Sequence, residues 1–177
     1  MLNYAETCAM LEEAGACAIT MHGRTRDELF RGVADWTPIA EVKAVAKIPI
    51  IGNGDVVTGE DYLRIKSETA CDAVMVARGA IGNPFIFEEM HAAARGEAFE
   101  MPDVNRVVTV LMDHLAREIE LKGLTTGINR MKKHFASYLR GRPRAAELRK
   151  RVFSTDSREE IEAAFEDYRN SHGRQAA

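Results

Sequence analysis

Only three cysteines, Cys8, Cys17 and Cys71, occur in the 177 residues. They are odd in number, widely spaced and embedded in apolar patterns, which argues against a disulfide framework or a metal site and predicts small core residues. No apolar run approaches the ~18 residues needed to cross a bilayer. No charged-then-apolar leader follows Met1, so the expectation is a cytoplasmic protein. No G-x-G-x-x-G follows a strand-like run, which weakens the dinucleotide-binding form of an open sheet. Beyond Gly96 strand-like runs are lacking altogether.

What is present suffices for a sizeable core: 46% of residues are hydrophobic and 29% charged, enough for one domain, or one with a small second. The net charge of -3 conceals an asymmetry. Residues 129–151, NRMKKHFASYLRGRPRAAELRKR, hold nine Lys or Arg against Glu147 alone, leaving 15 basic and 26 acidic residues elsewhere. A basic block on an acidic body suits a polyanionic partner, and equally a solvated helical face.

The first hundred residues repeat one unit. A helix-like segment with Tyr4, Cys8 and Leu11 on one side ends at Gly15, and ACAITMHG follows as an apolar run. Thr37-Pro38 opens a second helix with Ile39, Val42 and Ala46 as its stripe, leading into a strand from Ile48 to Ile51. Thr58, with Asp61 three residues on, opens a third, and CDAVMVARG from Cys71 to Gly79 is the third strand, with AIGNPFIFEEMHAAARG as a fourth helix. Three such units imply parallel strands in an α/β sheet covered on each face.

A doubly wound sheet and a (β/α)8 barrel compete for this pattern. The polar signals favour the barrel, because they fall at strand C-terminal ends: His22-Gly23-Arg24-Thr25-Arg26, Asn53-Gly54-Asp55 and Arg78-Gly79. A barrel needs eight strands and about 250 residues, so three strands would be part of one. The stretch IPIIGNGDVVTGED sets a buried strand against two glycines and a helix start, a pattern suited to a phosphate.

After the linker-like GEAFEMPD, Val104, Val108, Leu111, Leu115 and Ile119 make one helical stripe, and Ile128, Met131, Phe135, Tyr138 and Leu139 another. Ser157 with Glu160 opens a last helix whose buried side is Ile161, Phe165 and Tyr168. On the second of these helices Arg130, Lys133, Ser137 and Arg140 are spaced to share one face, which could track a phosphodiester backbone. The expected organisation is an α/β region over 1–96 and an all-α domain over 104–177.

Four motifs in register, ITMHGRTR, IPIIGNGD, DAVMVARGAIGNPFIF and NRMKKHFASYL, closely resemble the C-terminal half of the bacterial tRNA-dihydrouridine synthases, from about residue 3 to about residue 140. The resemblance implies the C-terminal part of a TIM barrel that binds FMN, followed by a helical domain that helps hold tRNA. In that family the reduced flavin, recharged by NADPH, delivers hydride to C6 of a uracil while a cysteine protonates C5.

Carried over by motif, Asn53, Gly54 and Asp55 match the turn at the FMN phosphate, gripped by amides of the turn and of the following helix start. Asp55 is expected to accept backbone N–H bonds and shape the loop, since a bare carboxylate would repel a phosphate. Arg78 matches a phosphate-facing arginine, with Ala77 in place of a glycine just before it. His22 matches a histidine beside the flavin ring. Arg24 and Arg26 are expected to face RNA; Arg130, Lys132, Lys133 and His134 match the basic tRNA-facing segment, and Arg140, on the face of Arg130 and Lys133, is expected to join them.

The family's cysteine acid, its flavin-contacting lysine and glutamine and its first phosphate-side turn have no match in this sequence. Cys8 falls on a helix, and Cys17 enters a strand at the end opposite the site. The expectation is therefore a half-barrel that does not reduce uridine alone. Its exposed sheet edges would be covered by self-association or by a missing N-terminal barrel half. Alternatives are a non-catalytic tRNA-binding module, part of another FMN barrel acting on small pyrimidines, and a structural fragment without ligand.

Overall fold

The structure is a computed structural model that describes residues 3–29 and 31–173. Residues 1–2 and 174–177, at the ends of the two expected regions, and residue 30 lie outside it. The chain divides into two compact units, Met1–Ala80 with Pro84–Phe99 and Ile81–Asn83 with Glu100–Ala177.

The first unit alternates helix and strand: α1 (Tyr4–Glu13), β1 (Ile19–His22), α2 (Thr37–Val45), β2 (Ile50–Asn53), α3 (Gly59–Thr69), β3 (Ala73–Met75) and α4 (Ile86–Arg95). The strands form a parallel sheet in the order β1-β2-β3, with Ile19 opposite Ile50, His22 opposite Asn53 and Asn53 opposite Met75. Local signals explain most boundaries. Proline in its first turn opens α2. A reciprocal Thr58–Asp61 capping box opens α3. The helix expected from residue 80 begins only at Ile86, because Pro84 interrupts it, and a 3-10 turn occupies Arg78–Ala80 instead.

Ile39, Ile50, Ile65 and Cys71 are fully buried beneath the helices. Burying each isoleucine contributes roughly 1.5–3 kcal/mol. The expectation of a sheet covered on both faces is not met: Thr20, His22, Ala73 and Met75 point to an exposed face. The helices of this unit lie on one side of the sheet, so alternate strand residues stay in water. Cys8 and Cys71 are core residues as expected, but Cys17 is exposed because it precedes β1. At the strands' N-terminal end, Lys43 Nζ lies 2.7 Å from Asp72 Oδ2, which also accepts the Ile50 N–H at 2.7 Å. That carboxyl, held below its usual range first by Lys43, ties α2 to the starts of β2 and β3.

The second unit carries α5 (Val104–Lys122), α6 (Leu124–Tyr138), α7 (Ala145–Phe153) and α8 (Arg158–Gly173). Asp103 caps α5 by accepting the Arg106 N–H at 2.8 Å. The buried faces are Val107, Val108, Leu111 and Leu115 on α5, and Ile128, Met131, Phe135 and Tyr138 on α6. Val104 and Ile119, expected in the first stripe, are half-buried, and Val107 takes part instead. At α8 only half of the Ser157–Glu160 box forms: the Glu160 N–H donates to Ser157 Oγ, while the Ser157 N–H goes to Thr155 Oγ1. Helix α7, which begins within the basic block and runs two residues past it, buries Ala145, Leu148 and Val152; charge alone did not reveal it as a helix. No helix among the described residues is long and apolar enough to cross a membrane.

Candidate functional site

The parallel register brings His22, Asn53 and the segment after β3 to one end of the sheet. Asn53 is buried, and its side-chain amide donates to the Met75 carbonyl at 2.6 Å, locking β2 to β3 at that end. Its backbone carbonyl accepts from Gly23, whose own carbonyl accepts from Asp35. The next residue, Gly54, has φ 139°, and a Cβ there would come within 2.8 Å of Ala34 Cβ. This glycine therefore serves close packing of the turn on the Ala34 segment as well as its conformation.

Asp55, in the left-handed region at φ 52°, is the centre of the cluster. Arg24 meets it with both ends of its guanidinium, Nη1 to Oδ1 at 2.8 Å and Nη2 to Oδ2 at 2.6 Å. Arg24 also donates to the carbonyls of Arg31 at 3.2 Å and Gly32 at 2.7 Å, and its side chain is only 4% exposed. The Ala34 N–H donates to Asp55 Oδ2 at 2.9 Å, and Arg78 Nη2 to Oδ1 at 3.1 Å. The Arg24 guanidinium, then the Ala34 amide and Arg78, hold the Asp55 carboxyl below the usual carboxylate range. The expectation that Asp55 accepts a backbone N–H and shapes the loop is met, with two guanidinium partners added.

The expectation that Arg24 faces RNA conflicts with this geometry, because its donors are turned inward to Asp55 and two carbonyls. The expected grip by the start of α3 conflicts too. The N–H groups of Val57 and Thr58 donate to Asp61 Oδ2, that of Gly59 to Glu89 Oε1 and that of Asp61 to Thr58 Oγ1. These donors are spent within the protein.

His22 is exposed, and its Nδ1 accepts the Arg24 N–H at 3.0 Å. The neutral ring therefore carries its proton on Nε2 and offers that N–H as a donor. Ala77 is exposed, and its carbonyl closes the 3-10 turn by accepting the Ala80 N–H at 3.1 Å. A cavity of about 650 Å³ opens at the end of β1, with His22, Arg24, Arg26, Glu28 and Asp35 in its lining. Chemically, Arg24 and Arg78 meet the one Asp55 carboxylate, while the cavity lining sets Arg26 against Asp27, Glu28 and Asp35. The exposed Arg78 guanidinium and the His22 ring are the donors that suit an anion bearing a planar acceptor edge.

Comparison with known proteins matches residues 2–172 to the family model described as Dihydrouridine synthase (Dus). The chain belongs to the dihydrouridine synthase family. A probable tRNA-dihydrouridine synthase 1 of Synechocystis is 38% identical over 160 residues, covering 90% of this chain and 45% of the relative. A tRNA-dihydrouridine synthase B of Xanthomonas axonopodis is 34% identical over 158 residues, covering 89% and 48%. A probable tRNA-dihydrouridine synthase of Mycobacterium leprae is 35% identical over 153 residues, covering 85% and 40%. The chain spans about half the length of the curated relatives it matches.

The basic residues expected to face tRNA lie in the second unit, on or just after α6. Arg130 pairs with Glu118 at 2.8 Å and Lys132 with Asp156 at 2.7 Å. Lys133 is exposed and carries no ion-pair partner among the described residues. Arg140 is likewise exposed without one, but α6 ends at Tyr138, so Arg140 stands in the following turn and not on the expected helical face. His134 stacks at a tilt on His114 of α5, centroids 4.9 Å apart. Burial first, then the charges of His114 and Lys133, push His134 below the usual histidine range. Burial does the same to His114, against Glu118.

Sequence reasoning missed Ala34, His114 and Trp36. The indole Nε1 of Trp36 donates to the Gly54 carbonyl at 3.0 Å, and the Arg64 guanidinium lies 4.8 Å from its ring centroid. The one available signal was that this is the only tryptophan in the chain.

Proposed function

We propose that the chain supplies the phosphate end of a flavin site and a tRNA-holding helical surface to a tRNA-dihydrouridine synthase built on a TIM barrel. The observation that carries this reading is the meeting of His22, Asn53, Asp55 and Arg78 at one end of a parallel sheet, in a chain of this family. Arg78 would hold the FMN phosphate by charge and by its fork of donors, beside the turn of Asn53, Gly54 and Asp55. His22 would offer its Nε2–H to the polar edge of the flavin ring, and Ala77 sets the backbone approach before Arg78. When bound and reduced by NADPH, FMN supplies the hydride that converts uridine to 5,6-dihydrouridine in tRNA. Lys133 and Arg140 would contact tRNA phosphates directly, while Arg130, Lys132 and His134, elsewhere on α6, add to the positive field around them.

The chain by itself would not complete the reaction. Cys8 and Cys71 are buried and Cys17 precedes β1, so none stands beside His22 and Arg78 to deliver a proton. The exposed sheet face and the edges of β1 and β3 would be covered by a second copy or by further barrel strands. A cytoplasmic setting follows from the tRNA substrate.

Titration of the purified chain with FMN, read by flavin fluorescence quenching with and without bulk tRNA, tests the reading. Saturable quenching and salt-sensitive tRNA binding are expected. Binding of tRNA without FMN would reduce the proposal to an RNA-holding module, and binding of neither would remove it.

A further inference from the structure

Asp55 raises a problem for any anion at this end of the sheet. Its carboxylate carries the charge that repels a phosphate, yet it donates nothing and lies 3.1 Å from the arginine best placed to receive one. Removing its charge by protonation is not the structure's solution, since its neighbours favour the ionised form.

The solution lies in Arg24. Both guanidinium ends are bound to the two carboxylate oxygens, and the remaining bonds run to the Arg31 and Gly32 carbonyls. Although Arg24 borders the cavity at the end of β1, only 4% of its side chain is exposed and its guanidinium is engaged with Asp55 and the two carbonyls, whereas the Arg78 side chain is 51% exposed. The two arginines thus divide the work: one is sunk into the carboxylate and one stands at the surface.

We propose that Arg24 is a positioning residue that cancels the Asp55 charge, leaving the charge of Arg78 to a phosphate group after β3. The inference rests on the flavin reading of the site. Without Arg24, Asp55 would turn its full charge on Arg78 and on the incoming anion, so binding would weaken for ligands with a phosphate and not for those without. A purely structural arginine would affect both kinds of ligand equally.

FMN and riboflavin differ by that phosphate and are the probes of choice. Wild type, R24Q, R24K, D55N and the R24Q/D55N double variant are titrated with each, followed by flavin fluorescence, with thermal melts as a check on folding. In R24Q, FMN affinity is expected to fall by about tenfold or more, equivalent to about 1.4 kcal/mol, while riboflavin affinity holds. R24K, which keeps the charge without the fork, retains most of the FMN preference, and R24Q/D55N recovers it because the unpaired carboxylate is gone. An FMN preference left intact in R24Q overturns the inference alone. Equal loss of both flavins in R24Q also overturns it. Should R24Q not fold, a folded R24Q/D55N chain without FMN preference is the overturning result. A wild-type chain that binds FMN no better than riboflavin removes the phosphate reading and this inference together.

Discussion

Trp36 Nε1 donates a 3.0 Å hydrogen bond to the carbonyl of Gly54, so the only indole of the chain is fastened to the turn that precedes Asp55. Trp36 itself is 7% exposed and belongs to the apolar core under the sheet. One residue thus joins the packing of α2 to the geometry of the strand end. The turn is held in place by a side chain that sequence motifs do not mark.

Replacing Trp36 by phenylalanine keeps an aromatic ring and deletes the donor. A buried carbonyl left without its partner costs about 1–3 kcal/mol. The W36F chain should therefore show a lower urea midpoint for the first unit. An unchanged midpoint would mean that water replaces the indole at Gly54.

The His114–His134 pair predicts acid sensitivity in the second unit. Burial lowers both imidazoles from the ordinary value of 6.5; the charge of His114, with Lys133 and Arg130, lowers His134 further, and Glu118 opposes the shift at both rings. The unfolded chain therefore binds protons first. Stability is full above about pH 6.5 and is lost as pH falls through that value toward the folded-state titrations. Thermal melts between pH 7.5 and 5 should show this slope, and H114Q should flatten it. In that variant the His134 C2–H resonance should titrate at higher pH than in the wild type, because one opposing charge is gone.

Phe135 and Phe165 are both fully buried, with ring centroids 5.4 Å apart between α6 and α8. Truncation of Phe135 to alanine should cost about 3–5 kcal/mol, since a large ring leaves a cavity its neighbours only partly fill. Far-UV circular dichroism should then show a melt in which helical signal is lost early. A shift of under a degree would indicate that α6 and α8 repack around the gap.

For RNA binding, ion pairing ranks the basic residues. Lys133→Ala and Arg140→Ala should each reduce the slope of log affinity against log salt by about one. Lys132→Ala should do less, because its ammonium is 2.7 Å from Asp156 and largely neutralised there. Filter binding of bulk tRNA across a salt series separates the three. Equal slopes for all three variants would sink the ranking.

The order of helices and parallel strands in residues 3–96 was legible because its signals are local. The Thr58–Asp61 box spans three residues, and apolar stripes declare themselves at helical spacing. The gathering of His22, Asn53, Asp55 and Arg78 was legible for a related reason: parallel strands bring their C-terminal ends to one side whatever the details of packing. Membership of the dihydrouridine synthases could be read from four motifs in register. Tertiary structure decided what each charged side chain does. Arg24 and Asp55 are 31 residues apart, Gly59 and Glu89 30, and His114 and His134 lie on different helices. No spacing rule reaches across such separations, because these partners are set by how the loops and helices pack. For that reason the motif that placed Arg24 on the RNA side could not reveal that its guanidinium turns inward to neutralise Asp55.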